Sequence, residues 1–407
     1  DFWTDERTSS FIPENRVYRP LVYTLYSFCW LAGNGKTWPF HIMKMVMHLI
    51  VCLSLFAIWR RLWSENGWFP IKPYKIKFPL LSREFTLTPE WAALFLATLF
   101  AVHPAASECV NYISATTSLQ CAMLYLLAYC QYLGYRDSAE AGAPKFKKLL
   151  LSLFLYFCSV ASKEEGITLV AMVGVTELFL LKGSFTQRLG GAIKRAAPYA
   201  VVAGVLGAWI FMMHPVSGNE SRGWVTPFQY FITQWRAYLW YMRLWFWPWD
   251  LNADSASIEF SKSLTDPLVI QAAIGNAVIL AFAWFNRKRY PAMLFGLLWF
   301  YITISPASSV VVLAEAINEH RMYLAYIGFV GGTFAVLLHC GEQFFAAERR
   351  PRFLGWIYAL VIVGLVTGAQ ERNRVWATDE TLWEDTVLKN PTSGRALNNL
   401  ALIYMPR

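Results

Sequence analysis

The chain has 407 residues, 56% of them hydrophobic, 17% aromatic and only 15% charged, a balance that excludes an ordinary soluble domain and describes a protein built for the bilayer. Its net charge of +9 is not a nucleic-acid footprint, because Lys and Arg are sorted along the chain: connections at 60–83, 135–148, 182–195, 286–290 and 341–352 hold 20 of them, and the alternate connections hold four, Lys163, Arg222, Lys262 and Arg321. The positive-inside tendency therefore places the first set in the cytoplasm and the second outside it.

In chain order, residues 1–37 read as an outer-face loop followed by an interfacial helix. The polar stretch 1–16 leads into an apolar run from Leu21 to Ala32 that is short for a crossing and ends at Gly33-Asn34-Gly35. Residues 38–370 read as a bundle of about ten spans, and the alternation expected of membrane strands is absent. The first span, from about Trp38 to Trp59, carries His41, Lys44 and His48 on one helical stripe, which predicts a bundle-facing surface. The two histidines stand about 10 Å apart along the axis, too far to share an ion. Further spans fall near 90–102, 118–135, 148–162, 166–181, 197–213, 267–285, 291–305, 322–340 and 353–370. The Trp-rich stretch 228–249 reads as interfacial or re-entrant, because a crossing there would turn Arg287-Lys288-Arg289 outward. The seven cysteines lack paired spacing and read as free thiols.

Three outer turns carry ionisable groups. The first is Ala101 to Asn111, where Pro104 helps end an apolar helix and His103 and Glu108 are the ionisable residues. One histidine and one acid do not make a metal site, although Glu108 could hold a divalent ion. The second turn is Ser162-Lys163-Glu164-Glu165-Gly166, and the third runs from Glu315 through Glu319-His320-Arg321 to Tyr323. Residues 371–407 change to a soluble, helical character, with Leu397, Leu400, Ala401 and Tyr404 at the spacing that opens a tetratricopeptide repeat.

The order of Asp1-Phe2-Trp3, Tyr18-Arg19-Pro20-Leu21, Phe40-His41, His48, Phe100-Ala101-Val102-His103-Pro104 with Glu108, Ser162-Lys163-Glu164, Pro306-Ala307-Ser308 and Glu319-His320-Arg321-Met322-Tyr323-Leu324 resembles the transmembrane and tetratricopeptide-repeat O-mannosyltransferases and their bacterial relatives. It departs from them at Lys44, Thr116-Thr117 and Ala325. The resemblance implies an all-α polytopic membrane protein: a GT-C-type transmembrane helix bundle followed by the start of a tetratricopeptide helical repeat. It also implies transfer of a sugar from a polyprenyl-phosphate carrier to a protein Ser or Thr hydroxyl, on the periplasmic face of a bacterial inner membrane or the lumenal face of the endoplasmic reticulum. Its partners would be the lipid-linked sugar donor, membrane lipids, the protein acceptor and a protein docked on the repeat tail, with no nucleic acid and no certain cofactor.

For that chemistry, His103 and Glu108 are the catalytic candidates in this chain, while the resemblance implies that the principal base lies upstream of residue 1. Arg19, Lys163, Arg321 and His320 are assigned to the donor phosphate, because an Arg fork suits phosphate oxygens and a Lys adds a point charge. Glu164, Glu319, His41 and His48 support them. Two other functions compete. A non-catalytic scaffold of the same fold could dock partners through its repeat tail. A transporter fits poorly, because the ionisable residues gather at one face and no repeat of spans is visible.

Overall fold

A computed structural model describes residues 19–65, 67–71, 73–77, 84–213, 225–255, 258–309, 312–313, 315–344 and 350–405. The Asp1-Phe2-Trp3 and Tyr18 matches, the outer loop 1–16 and Arg222 lie outside the described residues. The elements are α1 (Pro20–Gly33), α2 (Trp38–Trp63), a short antiparallel hairpin of β1 (Tyr74–Ile76) and β2 (Phe85–Leu87), α3 (Pro89–Ala101), α4 (Ser107–Asn111), α5 (Thr116–Glu140), α6 (Phe146–Ser162), α7 (Leu169–Leu180) and α8 (Phe185–Met213). They continue as α9 (Pro227–Phe246), α10 (Pro267–Phe285), α11 (Pro291–Ile304), α12 (Tyr323–Phe344), α13 (Arg350–Val375), α14 (Asp379–Lys389) and α15 (Gly394–Tyr404). The fold is that of an all-α polytopic membrane protein. Five helices among the described residues are long and apolar enough to cross a membrane, or six if the pair Pro89–Ala101 and Pro104–Asn111, bent by 59°, is one broken span.

The chain forms two compact units. The first comprises Asp1–Ile58, Ile113–Trp224 and Ile302–Ala307. Here α5 packs along α6, and α7 along α8. Hydroxyl pairs bind these helices where lipid offers polar groups no partner: Ser152 Oγ donates to the Ala128 carbonyl at 2.6 Å, and Tyr129 Oη lies 2.7 Å from Thr176 Oγ1. At its basic end the fully buried Glu177 accepts hydrogen bonds from Arg136 Nε at 2.9 Å and from the Tyr132 hydroxyl, as a charge withdrawn from water requires.

The second unit comprises Trp59–Tyr112, Val225–Tyr301 and Ser308–Arg407. It is organised around α12, whose glycines admit large neighbours. A Cβ at Gly331 would lie 1.8 Å from the Trp59 ring, so only glycine allows that approach. The Trp59 indole then donates to the Ile327 carbonyl at 3.0 Å, and the Trp299 indole to that of Leu324 at 3.0 Å.

One sequence-based boundary shifts. The helix assigned to end at 370 runs on to Val375, and its last turn carries Arg372 and Arg374; Arg372 can sit there because Asp385 of α14 binds it. The stretch expected to be interfacial or re-entrant forms a 20-residue helix, α9, which is not among those long and apolar enough to cross a membrane; it is opened by a capping box at Thr226 and buries Tyr230, Ile232, Gln234, Ala237 and Tyr241.

Candidate functional site

Within the second unit, α3 stops at Ala101 because Pro104 cannot supply the next backbone donor, and His103 takes an extended conformation. Its Nδ1 accepts from the Ala105 amide at 3.2 Å, capping the 3-10 turn Pro104–Ala106. That fixes the tautomer, so Nε2 donates to the Trp245 carbonyl at 3.0 Å, with the two rings stacked at 4.3 Å. Both ring nitrogens hold the turn, which makes His103 a positioning residue.

Glu108 opens α4 and is 2% exposed. One of its oxygens accepts the His320 backbone amide at 2.9 Å, and the other lies 3.0 Å from His320 Nδ1. The carboxylate thus fixes both the backbone and the ring of a residue 212 positions away. His320 belongs to the 3-10 turn Glu319–Met322 that leads into α12, a turn entered through Asn318, whose amide and carbonyl are both bound by the Tyr241 hydroxyl. With Nδ1–H directed at Glu108, Nε2 is the acceptor nitrogen of the neutral ring, whereas the imidazolium has none.

The same turn carries Glu319 and Arg321, both buried. Arg321 Nη1 donates to the Glu315 carbonyl at 3.0 Å and to the Tyr230 hydroxyl at 3.3 Å, while its Nη2 lies 3.4 Å from Glu315 Oε2. Glu319 accepts the Asn252 amide and faces Arg372 Nη2 at 4.0 Å. Arg321 thus pairs with Glu315, and Glu319 faces Arg372.

Sequence reasoning missed the tail's part in this cluster. Arg395 of α15 donates from Nη1 to Glu315 Oε1 at 2.8 Å and from Nε to Asp254 Oδ2 at 3.0 Å, and Ser393 Oγ donates to the same Asp254 oxygen at 2.7 Å. Burial works to raise the Asp254 carboxyl, but the Arg395 and Ser393 hydrogen bonds outweigh it and hold the carboxyl below its usual range. Lys389 donates to the Leu251 carbonyl at 2.9 Å, and Arg372 to Asp385 at 2.9 Å. Glu315 stands in the polar stretch before α12, but nothing in the linear order pairs it with a residue 80 positions on.

The first unit holds the other assigned residues. Arg19 Nη2 donates to both oxygens of Glu164, at 2.9 and 3.0 Å. Desolvation works to raise the Glu164 carboxyl, and the Arg19 and Lys163 charges overcome it and hold it at about 2. Lys163 is buried, donating to Ser118 Oγ at 3.0 Å and to Glu165, an acid the sequence reading left unassigned. The stripe on α2 divides: Lys44 is fully buried, His48 half-buried near Cys52, and His41 exposed. Only part of it faces the bundle. Among the described residues no group of three or more His, Cys, Asp or Glu side chains is placed to hold a metal.

No family model matches the chain. It is similar to the human protein O-mannosyl-transferase TMTC4, with 28% identity over 184 residues, 44% of this chain and 23% of that protein. It is also similar to Tmtc3 of Drosophila melanogaster, 29% identical over 194 residues (44% and 19%), and to human TMTC1, 27% identical over 209 residues (49% and 20%). The chain spans less than a quarter of the length of these relatives. A structural comparison with an oligosaccharyltransferase of Archaeoglobus fulgidus covers 95% of this chain and 51% of that one at 14% identity, but its TM-score of 0.41 carries no argument. The chain is a multi-span membrane protein similar, over nearly half its length, to part of several protein O-mannosyl-transferases.

Proposed function

We propose that this chain carries a sugar-transfer site of a membrane glycosyltransferase, with a mannose-like sugar on a polyprenyl-phosphate carrier as donor and a protein Ser or Thr hydroxyl as acceptor. Two things support the reading: the similarity to O-mannosyl-transferases and, above all, the turn 319–322, which sets a carboxylate-oriented imidazole beside a buried guanidinium. In the reaction the acceptor oxygen forms a bond to the anomeric carbon, the bond from that carbon to the phosphate oxygen breaks, and the phosphate leaves with the electron pair. The hydroxyl proton passes to a base. His320, assigned to the donor phosphate in the sequence, is here given that role, with Glu108, 3.0 Å from its Nδ1, stabilising the imidazolium that forms.

Arg321 meets the departing phosphate, where a preorganised cation acts with little reorganisation. Glu315 and Tyr230 hold its fork, while Glu319, Arg372 and His103 position the turn and its neighbours. Arg19 and Lys163 of the first unit, with Glu164, are a separate proposal for phosphate contact. The outer set of turns, opposite the basic connections, is the non-cytoplasmic side in this reading.

The test uses the full-length protein in vesicles, with polyprenyl-phosphate mannose labelled in the sugar and a Ser/Thr-containing acceptor. Transfer of label that is lost in Arg321→Ala supports the site. Donor binding without transfer under any acceptor would favour the scaffold reading, in which the docked tail is the working part.

A further inference from the structure

The basic end of the second unit holds a feature that the transfer chemistry does not use. The connection between α10 and α11, with the facing part of α12 and residues 69–71, borders an open pocket of about 310 Å³ lined by Lys288, Arg289, Tyr290 and His339 on its polar side and by Ile71 and Val336 among its apolar residues. None of its lining residues is acidic. Arg289 Nη2 lies 3.4 Å from His339 Nε2, and the His339 and Tyr290 rings meet edge-on at 5.1 Å. These contacts hold the guanidinium and the imidazole side by side, with Gln343 Nε2 also 3.3 Å from His339 Nε2. The first turn of the 14-residue α11 adds its positive end. Next door, Arg287 lies over the Trp284 ring at 4.4 Å, the arrangement of a side chain held at the level of lipid headgroups.

The pocket has an apolar neighbour. A second space of about 360 Å³, lined mainly by apolar residues of α9, α10, α11 and α12 such as Leu239, Ile279, Leu297 and Phe329, with Arg243 and Thr333 also in its lining, shares Met293 with the first as a common wall. A cationic mouth beside an apolar slot, with the Met293 side chain between them, matches a ligand with an anionic head and a hydrocarbon chain. Both volumes fall within the roughly 300–1,000 Å³ of ligand pockets.

From this geometry we infer a binding site for an anionic phospholipid, its phosphate at Lys288, Arg289 and His339 and an acyl chain in the slot bounded by Ile279 and Leu297. The site takes lipid from the leaflet faced by the basic connections. It is independent of the transfer reaction proposed above. Recognition rests on charge at the mouth and on chain length in the slot, so free phosphate satisfies only half of it.

The experiment is native mass spectrometry of the full-length protein released from bilayers of phosphatidylglycerol mixed with a phosphate-free neutral glycolipid. Retained phosphatidylglycerol is the expected result. Each cation near an anionic headgroup contributes about fivefold to affinity, so Lys288→Ala/Arg289→Ala, two exposed positions, should weaken retention by about 25-fold with thermal stability unchanged. Ile279→Trp, at a half-buried position, should expel the lipid while leaving those cations in place. Three results would overturn the inference: equal retention of the neutral glycolipid, displacement of the lipid by inorganic phosphate alone at equal molarity, or preferential retention of polyprenyl phosphate when it is supplied in the same bilayer.

Discussion

The turn at 163–165 in the first unit and the cluster around the turn 319–322 in the second treat charge differently. At the first, pairing is one to one: Lys163 meets Glu165 within a single turn, and Arg19 meets Glu164, although elsewhere in that unit Glu140 and Glu177 are each shared by Arg136 and Arg195. In the second, carboxylates are shared, since Glu315 is divided between Arg321 and Arg395, and Asp385 between Arg372 and Lys389. A one-to-one pair fixes the turn that carries it, and its loss is felt there. A shared carboxylate ties two cations together, so that removing one changes what the other can reach. In the second unit those second cations come from α13 to α15, so the tail helices complete the electrostatics around the turn 319–322.

The largest effect should come from the pair that would move a proton. His320→Ala should lower turnover by about 10²–10⁴-fold, the usual contribution of a positioned acid or base, while retention of the polyprenyl-phosphate donor stays within about threefold of the parent. Glu108→Gln keeps the size of the side chain and removes its charge, and should cost nearly as much. If both variants transfer sugar at the parental rate while correctly folded, the base lies elsewhere and the pair only secures the turn. Next is Arg321→Ala, expected to slow transfer about a hundredfold and to weaken donor binding. Unchanged donor binding in a stable variant would remove the phosphate role.

The all-α polytopic fold could be read from the residues, because apolar length is a one-dimensional signal, although about ten spans were expected and five or six of the described helices are long and apolar enough to cross. Gly33-Asn34-Gly35 ending the first helix is such a case: Asn34 is left-handed, with φ of 49°. The site was legible only as a set of turns. His320 and Arg321 could be named from their position, but not the partners that decide their chemistry. Glu108 lies 212 residues from His320, and Arg395 lies 141 from Asp254. Pairing across such distances is a product of the fold, with no periodicity to report it. The contacts of His103 were hidden for a related reason, since an ionisable residue beside proline does not announce in the sequence that its ring meets the Ala105 amide and the Trp245 carbonyl.

Arg395 probes the shared carboxylate directly. Arg395→Ala leaves Glu315 to Arg321 alone and leaves the loop at Asp254 without its main partner. A fall in transfer of about three- to tenfold is expected, and its combination with Arg321→Ala should be non-additive by about 0.5–3 kcal/mol. Additive losses would mean that the tail is docked independently of the turn.

The smallest effect belongs to the first unit's one-to-one pair. The Glu164 carboxyl, held at about 2 by Arg19 and Lys163 against an unfolded value near 4.3, stabilises the folded state at pH above that unfolded value. The stabilisation is lost as pH falls through about 2. Because the side chain is 56% exposed, solvent screening limits the whole contribution to at most about 1 kcal/mol. Glu164→Gln should therefore lower the melting temperature by a few degrees or less at pH 7, and the gap from the parent should narrow steadily from about pH 4.5 downward. Taking the difference between the two proteins cancels the other carboxylates held low in the folded state, Asp254 among them. Added salt should close part of the gap at pH 7, since half-exposed pairs are screened. A gap that stays constant from pH 7 to pH 3 at low salt would show that Glu164 acts through packing and that its ionisation is idle.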